Sequence, residues 1–392
     1  MMASRFLLMF YIAYFFDAKT VGEFGLFYGT IVFSVFLVGF EHYSITQREI
    51  MSQTKDKWLD IIQNQVATNL FFYCLLAPSF IFIFIFKLLP WKYFFWFFIL
   101  LILEHFSQEL IRFIAGMRLQ FQVSFALFLR SGFWILISLP IMYFYDYKNF
   151  SFLFYCWSIS CVISILYSIF YINTNIQLSN FRLPSIKKIH LLHYRSSTLH
   201  FFLATSVIKL LFIGDRYLVK YFCEPEFLGA YVFFIGIAMT AVSLIDPAIT
   251  SFMFPDIVSS FKNGLKDKFN KLLRRYALCV SVFSAAISLL LFKFSYLIFN
   301  FLSYKIYSEN ISTFNAILLS TFIYGISLVP HYGLVAKNLE KYIFISNLIA
   351  FIVFILFLFI PLGISNKLIV PISLQLTFAV LLTTKSYYLA TK

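Results

Sequence analysis

Tyr14-Phe15-Phe16-Asp17-Ala18-Lys19-Thr20-Val21-Gly22-Glu23-Phe24-Gly25-Leu26-Phe27-Tyr28-Gly29 returns 207 residues later as Tyr221-Phe222-Cys223-Glu224-Pro225-Glu226-Phe227-Leu228-Gly229-Ala230-Tyr231-Val232-Phe233-Phe234-Ile235-Gly236. Without a gap, Tyr14, Phe15, Gly22, Phe27, Gly29 and Val35 each meet the same amino acid at that offset. The chain is a tandem duplication. Both copies lie in strongly apolar sequence, and duplicated bundles of membrane helices are the usual build of secondary transporters.

Composition sets the class. Hydrophobic residues make up 61% of the chain and charged residues 12%, where a water-soluble globule carries about a quarter charged residues. Mean hydropathy is +0.86. This is an integral membrane protein, cut by short polar segments into blocks of about 20 residues, the length a helix needs to cross about 30 Å of hydrocarbon. Barrel strands would be shorter and alternating. The blocks predict helical spans near 3–17, 22–45, 66–89, 91–113, 121–145, 150–172, 197–222, 227–253, 274–299, 312–334, 342–362 and 367–389. Six fall in each half, an even number, so the halves are expected to be parallel repeats.

Orientation follows from basic residues beside the spans. Loops after even-numbered spans hold Arg48, Lys55 and Lys57, then Arg118, then Arg182, Lys187, Lys188 and Arg195, then Lys262 to Lys271, then Lys337 and Lys341. The opposite loops hold little beyond Lys19, Lys87, Lys92, Lys148, Lys305 and Lys367. By the positive-inside rule both termini are expected on the cytoplasmic side. The net charge of +14 is mostly this topology signal. No basic segment forms a nucleic-acid reader, and contact with anionic membrane lipids is the simpler partner. The five cysteines lack the spacing of a zinc site or a disulfide framework.

The expected organisation is an N-terminal six-helix bundle over 1–180, a basic cytoplasmic linker over 181–196 around Pro184, and a C-terminal six-helix bundle over 197–392. Pro255 to Lys271 reads as a short surface helix with Phe254, Ile257, Val258, Phe261 and Leu265 on one side. Ala115-Gly116-Met117-Arg118-Leu119-Gln120-Phe121 resembles Ala336-Lys337-Asn338-Leu339-Glu340-Lys341-Tyr342 at an offset of 221, so the second half has gained residues around Ser303 to Ser312. Met1 aligns with Ile208 inside the seventh span. The first span is therefore expected to be short, or the start to be internal to a longer frame.

A charge at bilayer depth costs about 2.5–3.5 kcal/mol on insertion scales, so each one is a functional candidate. Lys209, Asp215 and Arg216 share the seventh span, with Lys209 and Arg216 on one face. The alternative is that Asp215 and Arg216 neutralise each other or neighbouring helices as packing glue. Asp246 precedes Pro247, a pair suited to binding a proton or cation where the proline frees a carbonyl. Glu104, His105, Glu109 and Arg112 share the fourth span. Glu109 and Arg112 are three residues apart and pair within the helix, whereas Glu104 with His105 suits a proton relay. Arg130 interrupts the fifth span too deeply to snorkel. Lys293, His331 and Lys385 lie near span ends, where snorkelled anchors are expected. No Walker loop, dinucleotide fingerprint, His-Glu-x-x-His or Gly-x-Ser-x-Gly motif occurs, so transport rather than enzyme catalysis is expected.

Phe24 through Phe40 followed by Thr46-Gln47-Arg48-Glu49, the Gly214-Asp215-Arg216-Tyr217-Leu218-Val219 run, Phe227-Leu228-Gly229-Ala230-Tyr231 and Ala336 to Tyr342 are similar to Wzx-type O-antigen flippases. These form the polysaccharide biosynthesis branch of the MOP exporter superfamily. The resemblance implies an all-α, V-shaped, MATE-like pair of six-helix bundles in the bacterial inner membrane. Its cargo would be undecaprenyl-pyrophosphate-linked oligosaccharide for lipopolysaccharide, with a polysaccharide polymerase and chain-length regulator as partners. The family's Asp-Arg pair carries over to Asp215 and Arg216, and its basic residue after the second span to Arg48; its first-span polar positions have no counterpart here. Arg216, Lys209 and Arg130 are then expected to meet phosphate, and Asp215, Asp246 or Glu104 to couple transport to a proton or sodium ion, with no other cofactor and no metal. A multidrug or organic-cation antiporter of the same superfamily is the first alternative. A membrane O-antigen polymerase or ligase is the second, and it would need a long outward loop that the predicted topology lacks.

Overall fold

The computed structural model describes residues 2–145, 149–176, 196–302, 304–360, 363 and 365–392. Everything regular in it is helical. In the first half the helices are α1 (Met2–Phe15), α2 (Ala18–Gly39), α3 (Tyr43–Ser52), α4 (Lys55–Ile85), α5 (Phe94–Gly116), α6 (Gln120–Phe128), α7 (Trp134–Phe144) and α8 (Phe150–Asn175). The second half holds α9 (Ser196–Phe222), α10 (Pro225–Ser243), α11 (Ser251–Lys262), α12 (Lys266–Asn300), α13 (Ile306–Glu309), α14 (Ile311–Ala336), α15 (Glu340–Leu358) and α16 (Asn366–Thr391). α6 runs into α7 through a π-helical turn at Leu129–Phe133, and α10 runs into α11 through another at Asp246–Thr250.

Among the described residues ten segments are long and apolar enough to cross a membrane. They match ten of the twelve expected spans. The remaining two are α1, which has only 14 residues, and α9, which has 27 residues but carries Lys209, Asp215 and Arg216. The second expected span is corrected at its end. α2 stops at Gly39, Phe40 and Glu41 take positive φ of 44° and 54°, and α3 starts as a separate helix. The surface helix expected over Pro255–Lys271 is also redrawn. Residues up to Lys262 continue α11, Gly264 turns at φ 72°, and α12 begins at Lys266. The extra residues of the second half hold α13.

Local chemistry explains several boundaries. Asn149 caps α8, its side chain accepting from the Ser151 N–H at 2.9 Å. Pro225 opens α10, where its missing N–H is harmless, with Glu226 favourably in the first turn. α5 and α14 end in the same turn. Arg118 and Asn338 adopt φ of 63° and 57°; Leu119 N–H reaches back to the Ile114 carbonyl and Leu339 N–H to the Leu334 carbonyl, both at the six-to-one spacing of a Schellman motif. This turn equates Arg118 with Asn338, one residue away from the register read from the sequence. The sequence register follows a shared alanine; the backbone follows the left-handed residue.

The chain divides into two compact units, Met1–Tyr11 with Phe27–Tyr194, and Ile12–Leu26 with Arg195–Lys392. The linker expected at 181–196 lies outside the described residues except for Ser196, which opens α9. In the first unit α5 packs against α3, α6 and α8. Ile50, Trp58, Ile62, Phe113 and Ile114 form a core at one end of it. In the second unit α14 is central, packed by α10, α12 and α16, while α15 bridges α9 and α16.

Within the second unit the opening of α2 lies against the opening of α10, so the repeated motif meets its own copy. Gly22 and its repeat mate Gly229 touch: a Cβ on Gly22 would lie 3.0 Å from the Gly229 nitrogen, and one on Gly229 would lie 1.7 Å from the Ala18 carbonyl oxygen. A Cβ on Gly25 would sit 2.1 Å from Val232 Cγ1. Small residues at these positions let two apolar helices approach backbone to backbone, the standard means of helix association in lipid.

Candidate functional site

Asp215 and Arg216 sit on α9 in the second unit, and the structure separates their roles. Asp215 is fully buried. One carboxylate oxygen accepts the backbone N–H of Arg216 at 2.6 Å and the other accepts the Tyr231 hydroxyl at 2.8 Å. Its carboxylate is occupied by local donors. The Arg216 side chain points elsewhere, its Nη1 donating to the Gly25 carbonyl of α2 at 3.1 Å, while its Nε is buried without a hydrogen-bond partner. Among the described residues no carboxylate forms an ion pair with Arg216. The two side chains do not pair directly; each bonds a neighbouring helix, Asp215 to α10 and Arg216 to α2, as the packing alternative read from the sequence allows. Lys209 lies two turns earlier on the same helix and is half-buried.

Glu104 and Arg130, named from the sequence for different tasks, come together in the first unit. Arg130 Nε is 3.1 Å from Glu104 Oε2, and Trp157 Nε1 donates to Glu104 Oε1 at 2.6 Å. Trp134 stacks on Trp157 with centroids 5.7 Å apart. The π-helical turn places Arg130, and serines of α8 satisfy the backbone around it. Ser160 donates to the Leu129 carbonyl and Ser164 to the Ala126 carbonyl, the latter at 3.0 Å. The sequence reading does not single out Trp157. Its signal is generic: a tryptophan inside a span needs an acceptor for its N–H.

Asp246 begins the other π-helical turn, where Pro247 supplies no N–H for the regular ladder. Its side chain is exposed and accepts the Tyr332 hydroxyl at 2.7 Å. Arg48 lies on α3, and its side chain is outside the described residues.

The pairing of Glu104 with His105 is corrected. Adjacent helix positions point about 100° apart, so Glu104 turns to Arg130 while His105 joins a second cluster. There Glu109 Oε2 accepts Gln65 Nε2 at 2.7 Å and Asn69 Nδ2 at 3.4 Å, and Glu109 Oε1 accepts Arg112 Nη1 at 2.5 Å. His105 Nε2 stands 3.9 Å from that same Oε1. Gln65 in turn accepts from Thr46 and contacts His42. Burial holds the His42 imidazole below its ordinary range, partly offset by Gln65, and raises the Tyr43 phenol to about 12. Gln65 and Asn69 are missing from the sequence reading, because neutral polar residues in a span carry no flag comparable to a charge, and Thr46 enters it only as part of the Thr46-to-Glu49 motif.

Lys385 and His331 are corrected as well. Neither snorkels: Lys385 is 3% exposed, and His331 Nδ1 is buried with no hydrogen-bond partner. Among the described residues no three His, Cys, Asp or Glu side chains are grouped to hold a metal ion.

No protein-family model matches the chain, and no curated protein matches its sequence. Solved structures do match. The chain is similar to a multidrug resistance MATE family transporter of the MOP superfamily in its inward-facing conformation, with a TM-score of 0.77 at 12% identity over 99% of this chain and 94% of that one. An outward-facing structure of such a transporter aligns with a TM-score of 0.66 at 12% identity over 99% and 92%. A MOP superfamily transporter from Pyrococcus furiosus, described as having a binding pocket of reversed polarity that suggests a different function, aligns at 0.61 and 13% over 99% and 92%. The fold is that of MOP-superfamily transporters. At these identities the likeness establishes architecture and leaves the cargo to the chemistry of the side chains.

Proposed function

We propose that this protein moves an acidic lipid-linked oligosaccharide of the undecaprenyl-pyrophosphate class across the bacterial inner membrane, from the cytoplasmic to the outer leaflet. The single observation that carries the reading is Arg216. Its guanidinium is held by one neutral carbonyl, has no carboxylate partner among the described residues, and keeps a buried Nε with no hydrogen bond. A half-buried cation in that state gains from an anion, and the guanidinium fork suits phosphate oxygens. Lys209 on the same helix adds positive charge for the pyrophosphate, tyrosine and tryptophan faces stack on sugars, and the prenyl tail stays in lipid.

In this reading Asp215 is a positioning residue. By accepting from Tyr231 it holds α9 against α10, and its own helix carries Arg216 to α2. Asp246, exposed and bonded to the Tyr332 hydroxyl, is the carboxylate best able to exchange a proton or sodium ion. Arg130 is less suited to phosphate than Arg216, because Glu104 already compensates it. A polymerase and a chain-length regulator would receive the translocated unit.

An organic-cation exporter would need open carboxylates at depth. Asp215, Glu104 and Glu109 each accept from donors of their own unit, which leaves Asp246 as the exposed one among these candidates. In a bacterial strain deleted for its glycan flippase and supplied with glycans of defined structure, the protein is expected to restore surface glycan. Arg216→Ala is expected to abolish display while the protein remains in the membrane. Normal glycan display by Arg216→Ala removes Arg216 from the site; efflux of cationic dyes with no glycan display favours the antiporter instead.

A further inference from the structure

The cluster on α5 contains a competition that the proposed function does not use. Two bases address one oxygen. Arg112 Nη1 holds Glu109 Oε1 at 2.5 Å, and His105 Nε2 waits 3.9 Å from the same atom. His105 is 2% exposed, and its Nε2 is buried with no hydrogen-bond partner. Helical spacing puts it on the carboxylate: His105 and Glu109 are one turn apart, Glu109 and Arg112 three residues apart. The other Glu109 oxygen is taken by Gln65 and Asn69 of α4, so the carboxylate cannot simply swing to serve both bases.

We propose that His105 is a proton-binding switch: on taking up one proton, its Nε2 bonds Glu109 Oε1 and displaces Arg112 from that oxygen. The step adds one positive charge to the cluster; Glu109 stays ionised, and no other bond is made or broken. Arg112 is able to leave. Its side chain keeps 22% of its exposure and lies over the Tyr43 ring of α3, 3.4 Å from the centroid, so cation–π contact supports it away from the carboxylate.

The groups around His105 are few. On its own helix they are Glu109 and Arg112, from α4 the Tyr73 ring meets it edge to face at 5.3 Å, and from α2 it faces Gly39 backbone. Tyr43 of α3 lies beneath Arg112, and His42, just before α3, contacts Gln65. Among the described residues no charged group of α6 or α8 acts on it. Gly39 matters for room, since a Cβ there would lie 3.3 Å from His105 Nε2.

This switch operates whatever the protein carries, and its test uses no cargo. The full chain, labelled with ring-13C histidine and side-chain 15N arginine, is placed in lipid nanodiscs and titrated from about pH 4 to about pH 9 by nuclear magnetic resonance. His105→Gln and Arg112→Lys assign the two signals. In the unmodified protein the His105 and Arg112 signals are expected to move with one midpoint, and Glu109→Gln is expected to weaken proton binding at His105 about tenfold or more. In His105→Gln the Arg112 signal is expected to stay still. A His105 signal that does not titrate, an Arg112 signal that ignores it, or an Arg112 signal that moves equally in His105→Gln each overturns the proposal. If His105→Gln does not fold, co-titration of the two signals in the unmodified protein decides alone, with Arg112→Lys supplying the assignment.

Discussion

Glu104 shows how much a single side chain depends on its surroundings here. It sits in a span among phenylalanines and leucines, yet both oxygens are engaged, one by Arg130 and one by Trp157. Removing its charge leaves Arg130 nearly buried and uncompensated. Glu104→Gln is therefore expected to destabilise the protein by about 3 kcal/mol, toward the low end for a buried pair because each side chain keeps roughly a tenth of its exposure. Arg130→Met added to Glu104→Gln should recover most of that loss. Reversible unfolding in mixed detergent micelles measures both; a silent Glu104→Gln would mean the pair is solvated. Charges are legible at this scale, since each one in a span stands out against apolar neighbours. Their partners are not. Arg130 and Glu104 lie 26 residues apart in the chain, and no periodicity links two different helices.

At the scale of elements, the decisive feature is the crossing of α2 and α10 in the second unit. Gly229 and Gly25 fail differently when a methyl is added. The Gly229 methyl would strike the Ala18 carbonyl, a backbone atom that cannot rotate away, whereas the Gly25 methyl would strike the Val232 side chain. Gly229→Ala is expected to abolish recovery of monodisperse protein by size-exclusion chromatography, since overpacking alone costs about 1–3 kcal/mol and backbone clashes more. Gly25→Ala should lower the thermal midpoint, and Val232→Ala in the same chain should restore it. A Gly229→Ala protein as stable as the parent would disprove the close crossing. The same crossing brings the Gly25 carbonyl within reach of Arg216, so packing and candidate chemistry share one joint. The glycines are visible in the sequence as repeat identities, but their role is not, because a repeat says which positions are equivalent and not that equivalent positions touch.

Over the whole molecule, topology follows from charge in the loops. An alkaline phosphatase fused after Asn149, in the loop following the fifth span, is expected to be active, and one fused after Lys392 to be inactive, because the enzyme folds only outside the reducing cytoplasm. The reverse pattern would invert the orientation. The duplication also accounts for the matched turns at Arg118 and Asn338. Cargo belongs to this scale too, and the architecture alone does not name it.

Class, span lengths, duplication and the places of the deep charges were written in the sequence itself. Each is a one-dimensional quantity: apolar length must match hydrocarbon thickness, and an ionised group in oil is conspicuous wherever it falls. Tertiary structure alone decided that Asp215 serves Tyr231 while Arg216 turns to α2, that Glu104 and His105 part company, and that Lys385 stays inside. Those outcomes depend on which helix faces which, and facing is set by close packing between segments far apart in the chain.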